Sequence, residues 1–432
     1  MLTNAVPSSA RRRVVVTGLG VVAPGATDLT SFEALLRRGL SPVRYDAELE
    51  RLGFGSCISA RATWSEEQWR RHTSELEQRR LSSAGLRYGL LAGLEAWANC
   101  GLQFAEEHAQ SRWGVVFGTS IPGIDVLGRA IRAVDAGRVR RLGSAVLETQ
   151  MPSSLATSLA ARLGAGGQVS CPCSACATGT EALILGMQRI HSGAADVVLV
   201  GSAESEGPHL WAGFDTLRLL ARGFEQTPEL ASRPLSSSAC GIVAGSGAAA
   251  LVLESLEHAR ERGAHVYCEV LGGAINCGGQ RQGGSATAPN PQAIVACIRQ
   301  ALADARVPTE EVDAISGHLT GTKVDPIEVQ CWADALQRDG DQFPHLNAPK
   351  SLFGHSFSAS GAIELVACAL QLQRHFLHPS RNCEDVHPFI QNRIDTRRIV
   401  RGGELRVRSN VMLKASFGFG DVNACVVLAH EG

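Results

Sequence analysis

A cysteine among small residues is the first group in this sequence with the chemistry of a nucleophile. Cys176 lies in the segment SACATGTEALILGMQRI, after a short strand pattern at 168–173 and at the start of an apolar helix pattern at 175–192. The dipole of a helix stabilises a thiolate at its N-terminus. The small neighbours would let a substrate carbonyl approach backbone N–H groups that can hold an oxyanion. A buried, inert cysteine explains the same motif equally well, so both readings stay open on this motif alone.

Two histidines stand in loops of the kind that carry catalytic groups. His318 directly follows the strand pattern 312–317, and polar residues at the C-terminal ends of parallel strands often form the sites of α/β proteins. His355 lies in the Gly- and Ser-rich segment APKSLFGHSFSASGAIE, just before an apolar helix pattern. Taken singly, each is more simply a structural histidine. The catalytic hypothesis therefore depends on the combination of His318 and His355 with Cys176.

The run Cys-Pro-Cys-Ser-Ala-Cys at 171–176 offers a different chemistry, that of a metal cluster. Zinc sites of this type usually pair two such knuckles, and no matching second knuckle follows in the sequence. Pro172 also suits a ligand hairpin poorly. We therefore expect no metal site.

Composition and charge exclude several classes of protein. The 432 residues are 44% hydrophobic and 19% charged, and the net charge of −1 comes without a long basic block, so nucleic-acid binding is not expected. The 13 cysteines are scattered and odd in number, which favours a reducing compartment over a disulfide framework. The N-terminal ten residues lack the apolar region of a signal peptide, and no uncharged apolar run reaches the roughly 18 residues of a membrane span. We expect a cytoplasmic protein that does not associate with membranes.

Strand and helix patterns alternate along the chain, which predicts an α/β protein with largely parallel sheets. The two halves show a similar order, so we expect an internal duplication with domains at 1–258, carrying the nucleophile, and 259–432, carrying both histidines. The polar region 204–240 predicts an irregular surface or active-site excursion. The strand patterns lie at 12–22, 113–118, 168–173, 195–200, 248–254, 266–271, 313–317, 406–415 and 424–429, and the helix patterns at 84–100, 123–135, 152–163, 175–192, 293–305, 326–336 and 359–375.

Taken together, these motifs resemble the elongating β-ketoacyl-acyl-carrier-protein synthases of the thiolase-like superfamily, which extend fatty acids and type II polyketides. The resemblance implies a five-layered αβαβα sandwich made of two fused, duplicated halves. It extends along nearly the whole chain, through VVVTGLGVVAPG, SACATGT, ADVVLVGSAE, GIVAGSGAAALVLES, HLTGT, KSLFGHSFSASGAIE and SFGFG.

The resemblance also implies a role for each matching residue. Cys176 would accept an acyl group. His318 and His355 would bind the carbonyl of a malonyl thioester and stabilise the enolate formed as CO2 leaves. Lys350 and Glu364 would orient this site.

Further positions are implied to contact the substrate. The backbone N–H groups of Cys176 and Phe419 would form an oxyanion hole, and Phe419 would gate the access of the extender unit. Packing around Ile121 would influence the depth of the acyl tunnel. Three threonines would lie near the phosphopantetheine arm of the carrier: Thr287, Thr320 and Thr322.

The same resemblance implies no bound cofactor, because the substrates travel on the phosphopantetheine of an acyl carrier protein. It also implies a dimer, either of two identical chains or with a chain-length-factor-like subunit. Four positions depart from the usual family pattern and favour a specialised polyketide or fatty-acid pathway: Ser246, Leu319, Asp421 and Val422.

Two alternative functions are weighed against this one. A non-catalytic partner subunit would lack the nucleophile, which Cys176 and both histidines argue against. A degradative thiolase would need a second catalytic cysteine in a C-terminal glycine-rich loop, but that loop reads FGFGDVN, and Cys425 falls in the strand pattern that follows.

Overall fold

The computed structural model describes residues 11–104, 108–279 and 287–431. Sixteen helices are found in these residues, joined by several single turns of 3-10 helix. The helices are α1 Leu29–Arg38, α2 Ala47–Arg51, α3 Glu66–His72, α4 Glu75–Arg80, α5 Ala84–Cys100, α6 Ile124–Asp135, α7 Val146–Gln150, α8 Ser154–Leu163, α9 Thr178–His191, α10 Pro208–Thr216, α11 Leu256–Glu261, α12 Pro291–Ala305, α13 Asp325–Leu336, α14 Lys350–Phe353, α15 Ser360–Arg374 and α16 Pro388–Gln391.

Fifteen strands are found in the same residues, ten of them in one continuous sheet and the others in two small sheets. The strands are β1 Val14–Val22, β2 Arg44–Tyr45, β3 Ile58–Ala60, β4 Trp113–Thr119, β5 Val169–Ser170, β6 Val197–Glu204, β7 Ala244–Gly245, β8 Gly247–Ser255, β9 Cys268–Cys277, β10 Ala314–Ser316, β11 His345–Asn347, β12 Phe376–Leu377, β13 Leu405–Arg406, β14 Val411–Gly418 and β15 Val422–Ala429.

The ten-stranded sheet consists of two five-stranded halves with the same internal order. Reading across the sheet, the strands are β11-β10-β14-β15-β9 and then β1-β8-β6-β4-β5. The five strands of each half can be numbered in chain order and read outward from the junction of the halves. In both halves the order is then first, fifth, fourth, second and third. The halves join where residues 14–16 of β1 pair antiparallel with residues 268–270 of β9. This shared order confirms the predicted duplication.

The prediction of largely parallel sheets is wrong, because the sheet is mixed. In each half, only the outer strands run parallel: β4 pairs parallel with β5 and β6, and β10 pairs parallel with β11 and β14. The inner pairs are antiparallel, including β14 with β15. Those two strands are joined by a tight hairpin, which allows only the antiparallel direction, whereas parallel neighbours need a helical crossover.

Helices cover both halves of the sheet and also separate them, giving five layers. The core between the two halves contains α9 and α15, which pack against one face of each half. Helices α5 and α8 cover the outer face of the first half, and α12 and α13 cover the outer face of the second. The predicted αβαβα sandwich is confirmed.

The two central helices cross where each has a glycine. A Cβ atom on Gly179 would lie 2.3 Å from the Ala362 nitrogen, and one on Gly361 would lie 2.6 Å from the Thr180 nitrogen. Only residues without a side chain permit this approach. The crossing brings the N-terminal ends of α9 and α15 close together.

The region 204–240 is more regular than predicted, since it contains α10. Pro208 at the first helical position, preceded by Gly207, is the start signal that marks this helix. Apart from a 3-10 turn at Pro228–Leu230, the rest of the region is largely irregular, and its last two residues, with Gly241 after them, line the main cavity described below. The proposed boundary between residues 258 and 259 falls within α11, between the last strand of one half and the first of the next. The boundary itself stays a prediction.

None of the helices described has the length and apolar character needed to cross a bilayer.

Candidate active site

Cys176 lies in a tight turn that the sequence pattern assigned to the start of a helix. Residues Ala175–Ala177 form one turn of 3-10 helix, and α9 begins at Thr178. Ala175 has a φ of +50°, an uncommon value for a residue with a side chain. The hydroxyl of Thr178 accepts a hydrogen bond from the Ser174 N–H at 2.9 Å and donates one to the Ala175 carbonyl at 2.7 Å, which holds the turn in place. Cys176 is 5% exposed.

The end of strand β14 approaches the cysteine turn closely because it carries a glycine there. A Cβ atom on Gly418 would lie 2.7 Å from the Ser174 carbonyl oxygen and 3.3 Å from the Cys176 nitrogen. The next residue, Phe419, directs its backbone N–H toward the Cys176 thiol. The strand end thus presents the Phe419 N–H to the sulfur, close to the backbone nitrogen of Cys176 in the turn.

His355 lies beside this sulfur. Its Nε2 atom is 3.2 Å from Cys176 Sγ, although the two residues are far apart in the chain. Its Nδ1 atom accepts a hydrogen bond from the Phe357 N–H at 3.2 Å and lies 2.8 Å from the Ser360 hydroxyl. Because a nitrogen that accepts a hydrogen bond carries no proton, the proton of the neutral ring is on Nε2 and faces the sulfur.

His318 completes the group from the other side. Its ring centroid is 5.4 Å from that of His355, with the ring planes nearly perpendicular at 86°. Its Nδ1 atom lies 3.3 Å from Lys350 Nζ, which can only donate while it is charged, so Nε2 again carries the proton. The backbone N–H of His318 donates to Glu328 Oε1 at 2.7 Å, and that of Leu319 donates to Oε2 at 2.8 Å.

A buried ion-pair network lies behind the histidines. Glu364 on α15 contacts Lys350 Nζ at 2.5 Å through Oε1 and Lys414 Nζ at 2.8 Å through Oε2. All three side chains are almost fully buried. Buried charges are costly unless they are paired, so this arrangement fixes the position of Lys350 against His318.

Burial sets the protonation of the three central groups. It raises the pKa of the Cys176 thiol to about 11, and the Lys350 cation and the Phe419 N–H oppose this rise only in part. The helix dipole was expected to lower the pKa of this thiol, but desolvation by burial has the larger effect and raises it. Burial, followed by the nearby Lys350 charge, lowers the pKa of both His318 and His355 well below its usual value. At neutral pH the thiol is protonated and both imidazoles are neutral.

The cluster has the composition of a metal site but not its hydrogen bonding. Ligand atoms of Cys176, His318 and His355 all lie within 4.8 Å of one another. A metal ligand must offer a lone pair, whereas both Nε2 atoms carry protons here. Two N–H donors aimed at one point suit a developing oxyanion instead. The other cysteines of the CPCSAC run point elsewhere, with Cys171 Sγ 2.9 Å from the Pro152 carbonyl oxygen.

A cavity of about 470 Å³ connects these groups to the surface. It contains Cys176, both histidines and Phe419, and its outer wall includes all three threonines expected there: Thr287, Thr320 and Thr322. The loop that bears Thr320 is fixed by Asp325, whose carboxylate accepts the Thr320 N–H at 3.0 Å and the Gly321 N–H at 3.1 Å.

Ile121 is not brought to this cavity. Its side chain is 44% exposed on the surface of the single chain, in the loop that follows β4. A contribution of Ile121 to a tunnel would require a partner chain against this surface, so its role stays a prediction. Cys425, the cysteine considered for a thiolase mechanism, is buried in the core between the sheet and α12 and is not part of the cavity wall.

The unusual residues are accommodated without displacing a catalytic group. Leu319 adopts a φ of +22°, and its side chain is fully buried in the core of the second half. Asp421 has a φ of +63°, which aspartate tolerates better than most residues, and its carboxylate accepts the Asn290 N–H at 3.3 Å. Ser246 Oγ lies 3.0 Å from Glu206 and accepts the Ala62 N–H. Val422 begins β15 opposite Gly418.

Sequence reasoning missed two charged members of the site. Lys414 is a lysine within the apolar strand pattern VMLKASF, and a charged residue at such a position is a signal of burial with a partner. Glu328 follows His318 by ten residues, and its position in the sequence alone suggests no role. It holds the backbone of both His318 and Leu319, and it also accepts the Trp332 indole N–H at 3.2 Å.

Family models match most of the chain. Residues 11–259 match the model described as beta-ketoacyl synthase, N-terminal domain, and residues 267–384 match the corresponding C-terminal domain.

Curated relatives are similar over almost the whole length. A Streptomyces cyaneus protein, provisionally named polyketide beta-ketoacyl synthase 1, is 33% identical over 96% of this chain and 98% of its own length. The chloroplastic 3-oxoacyl-[acyl-carrier-protein] synthase II of Arabidopsis thaliana is 31% identical over 99% of this chain and 77% of its own. The 3-oxoacyl-[acyl-carrier-protein] synthase 1 of Escherichia coli is 29% identical over 96% and 98%, respectively.

Solved structures show the same similarity. The ishigamide ketosynthase/chain length factor superimposes with a TM-score of 0.87 at 29% identity, covering 98% of this chain and 100% of that one. A type II polyketide synthase ketosynthase, solved with its acyl carrier protein and bound to the hexaketide, gives a TM-score of 0.85 at 29% identity, with the same coverage.

Proposed function

The chain belongs to the β-ketoacyl synthase family, and from this premise we propose that it joins an acyl group held on Cys176 to a malonyl unit with loss of CO2. The family, the fold and the class of acyltransferase predicted from the sequence are confirmed. The proposal for the reaction and its residues is carried by one observation: the Cys176 sulfur and two imidazole N–H donors meet in a single cavity.

In the first step, Cys176 Sγ attacks the carbonyl carbon of an acyl thioester delivered on a carrier protein. The new C–S bond forms as the old one breaks, and the thiol proton of Cys176 passes to the departing carrier thiolate. The negative charge on the carbonyl oxygen is stabilised by the backbone N–H groups of Cys176 and Phe419, which Gly418 brings together. Because burial raises the pKa of the Cys176 thiol, little thiolate is present at neutral pH, and the attack requires that the thiol lose its proton.

In the second step, a malonyl thioester occupies the same cavity with its carbonyl oxygen between His318 and His355. The C–C bond to the carboxylate breaks, CO2 leaves, and the electron pair moves onto that oxygen as an enolate. Two neutral N–H donors stabilise the enolate without a change of charge on either ring. The enolate carbon then attacks the acyl carbonyl, and Cys176 leaves as the thiolate.

Lys350, Glu364 and Lys414 act as positioning residues in this scheme. Lys350 fixes the Nε2–H form of His318, and Glu364 keeps Lys350 in place. No bound cofactor takes part, since the phosphopantetheine arm of the carrier brings the substrate to Cys176.

The separation of the two steps provides the test. Replacing His318 or His355 with alanine should lower condensation and CO2 release from the malonyl thioester about 100–1000-fold, because an N–H donor to the enolate is lost. Acylation of Cys176, followed by intact-protein mass spectrometry, should persist. A variant that loses acylation but still releases CO2 at the original rate would overturn these roles.

We further propose that the working unit contains a second chain of the same fold and serves a type II polyketide pathway. Exposed apolar side chains on α6, on α7 and in the loops beside them support a partner there, and the ishigamide structure supports a subunit of the chain-length-factor type. These side chains belong to Ile121, Ile131, Val134, Val139, Leu147 and Met151.

Purification from the native host tests this assembly. Light scattering and mass spectrometry of the purified complex should show two different chains of similar size. A homodimer that extends ordinary saturated acyl groups at full rate would overturn the polyketide assignment. We place the reaction in the cytoplasm, which all 13 cysteines, unpaired in the structure, support.

A further inference from the structure

A second groove starts at the mouth of the catalytic cavity and extends across the surface. It encloses about 670 Å³ and shares Ala239, Thr322 and Lys323 with that cavity. The first turns of α13 and α16 form its far side, where Ile327 and Phe389 lie. Any substrate that reaches Cys176 through this mouth passes the near end of the groove.

The far side of the groove carries an exposed aromatic ring that stacks on a neighbouring histidine. Phe389 is 74% exposed, and its ring stacks on His387 with the centroids 5.5 Å apart and the planes 16° from parallel. His387 caps the start of α16 by accepting the Phe389 N–H at 3.3 Å. Ile327, on the same groove, is 38% exposed. Exposed aromatic side chains are typical anchors of protein interfaces.

The near end of the groove carries an unpaired positive charge. Lys323 is exposed, and no ion pair joins it to a carboxylate within the described ranges. The acidic residue of the groove, Asp334, is already paired with Arg393 at 2.6 Å. The net charge at the junction with the cavity is therefore positive, which suits a phosphate group.

We propose that this groove is the docking surface for the acyl carrier protein, with Phe389 and Ile327 contacting an apolar face of the carrier and Lys323 pairing with the phosphate of its arm. This rests on the proposed function, which requires a carrier at this mouth. Phe389 lies beyond residue 384, where the match to the family model ends. The groove therefore combines Lys323 and Ile327, inside the part of the chain matched to the family, with Phe389 outside it, and these three residues together would select one cognate carrier.

The test compares two acyl donors with the same acyl group, one on the cognate carrier protein and one on the small thiol N-acetylcysteamine. Phe389→Ala should lower the ratio of carrier to small-thioester kcat/KM about tenfold, the effect of losing one interface anchor. Phe104→Ala removes another exposed phenylalanine, 48% exposed and away from the groove, and should leave the ratio unchanged. Lys323→Glu should raise the KM for the carrier donor. Lys323→Arg, which keeps the positive charge, should leave that KM at the value of the unmodified protein.

The outcomes separate this inference from the proposed function. If Phe389→Ala and Lys323→Glu both keep the original ratio, the groove is not the docking surface. If Phe389→Ala changes the mass of the protein in solution but not the ratio, the groove is a subunit contact, and the inference is also overturned. Failure of the unmodified protein to be acylated by the small thioester would instead count against the proposed function.

Discussion

Two turns at the centre of the molecule have the same backbone and different surroundings. In the first half, Ala175–Ala177 precedes α9, and in the second half, Phe357–Ala359 precedes α15. The first residue of each turn is left-handed, with φ of +50° at Ala175 and +46° at Phe357. Cys176 and Ser358 therefore occupy matching positions in the duplicated fold.

The difference lies in the strand that approaches each turn from the opposite half. The fourth sheet strand of the second half, β14, ends at Gly418 against the Cys176 turn, whereas the fourth strand of the first half, β6, ends at Glu204 against the Ser358 turn. The Ser358 hydroxyl lies 2.7 Å from Glu204 Oε2 and 2.9 Å from the Ala203 carbonyl oxygen. Glu204 also accepts hydrogen bonds from Ser120 and from the Ser205 N–H.

Duplication of the fold therefore supplies two equivalent turns. The residue at the end of the approaching strand, Gly418 or Glu204, distinguishes the catalytic turn from the structural one. Gly418 lets its strand end lie directly against the Cys176 turn, which brings the Phe419 N–H to the sulfur. At the equivalent strand end, the Glu204 carboxylate accepts the Ser358 hydroxyl and satisfies it internally. One turn is a reaction centre, and the other is a closed structural network.

The strongest test moves the thiol from one turn to the other. Cys176→Ala should abolish the covalent acyl adduct, because the Phe419 N–H points to the Cys176 thiol. Cys240, which also lines the cavity, instead directs its sulfur toward the Ala231 carbonyl oxygen at 3.9 Å. The double variant Cys176→Ala with Ser358→Cys should also remain unacylated, since the Glu204 carboxylate lies beside that position, where Cys176 has the Phe419 N–H. Intact-protein mass spectrometry after incubation with an acyl thioester measures both. An adduct on the new cysteine would show that the Ser358 turn can also accept an acyl group.

The glycine side of the contrast is tested by adding one carbon atom. Gly418→Ala should lower the rate of acylation about 10–100-fold, because its Cβ would lie 2.7 Å from the Ser174 carbonyl and must push the cysteine turn out of place. Single-turnover acylation kinetics give this rate. Gly403→Ala, where a Cβ meets nothing within 4 Å, is the matched control. Equal rates in both variants would show that close approach at Gly418 is not needed.

The pH dependence of Cys176 alkylation tests how strongly burial in its turn holds the thiol proton. Alkylation requires the thiolate, and because burial raises the pKa to about 11, the reactive fraction should grow about tenfold per pH unit between pH 7 and pH 9. Peptide mass spectrometry after timed treatment with iodoacetamide measures the rate constant at Cys176. A rate that levels off below pH 9 would mean that the donors around the sulfur outweigh its burial.

The smallest effect is expected on the closed side. Glu204→Gln should lower the free energy of unfolding by about 1–3 kcal/mol, because the amide NH2 of glutamine would face donors that the carboxylate now accepts. Burial raises the pKa of this carboxyl because the buried charge is poorly solvated. Removing the charge therefore also removes a desolvation cost, which offsets part of the loss of stability. Urea unfolding measures the change, and Glu257→Gln, on the exposed face of α11, provides the control. Loss of acylation without loss of stability would place Glu204 in the reaction instead.

Much of the fold could be predicted because its signals are local. The runs of apolar residues that give β1, β6 and α5, and the glycine-rich loops around His318 and His355, appear in the sequence close to their final bounds. The direction of the inner strands could not be predicted in this way. It depends on which strands become neighbours, and β8 and β15 each insert beside a strand from much earlier in the chain.

The candidate site shows the same division. Lys414 reads as one residue of an apolar strand until the fold places it 2.8 Å from Glu364. Ile121 is the reverse case. The family resemblance places it near the acyl tunnel, but in the single chain its side chain is exposed at the surface. In both cases the meaning of the residue depends on a distant element or on another chain.

The sequence by itself determined which groups are available: one cysteine before an apolar helix, two histidines in glycine-rich loops, and the family to which they belong. Only the tertiary structure decided their states, because protonation and hydrogen bonding depend on neighbours that are remote in the chain. Phe357 and Lys350 set the proton on each imidazole, and burial keeps the proton on the thiol. The same physical reason separates Cys176 from Ser358: two similar turns lie against different strand ends from the opposite half of the molecule.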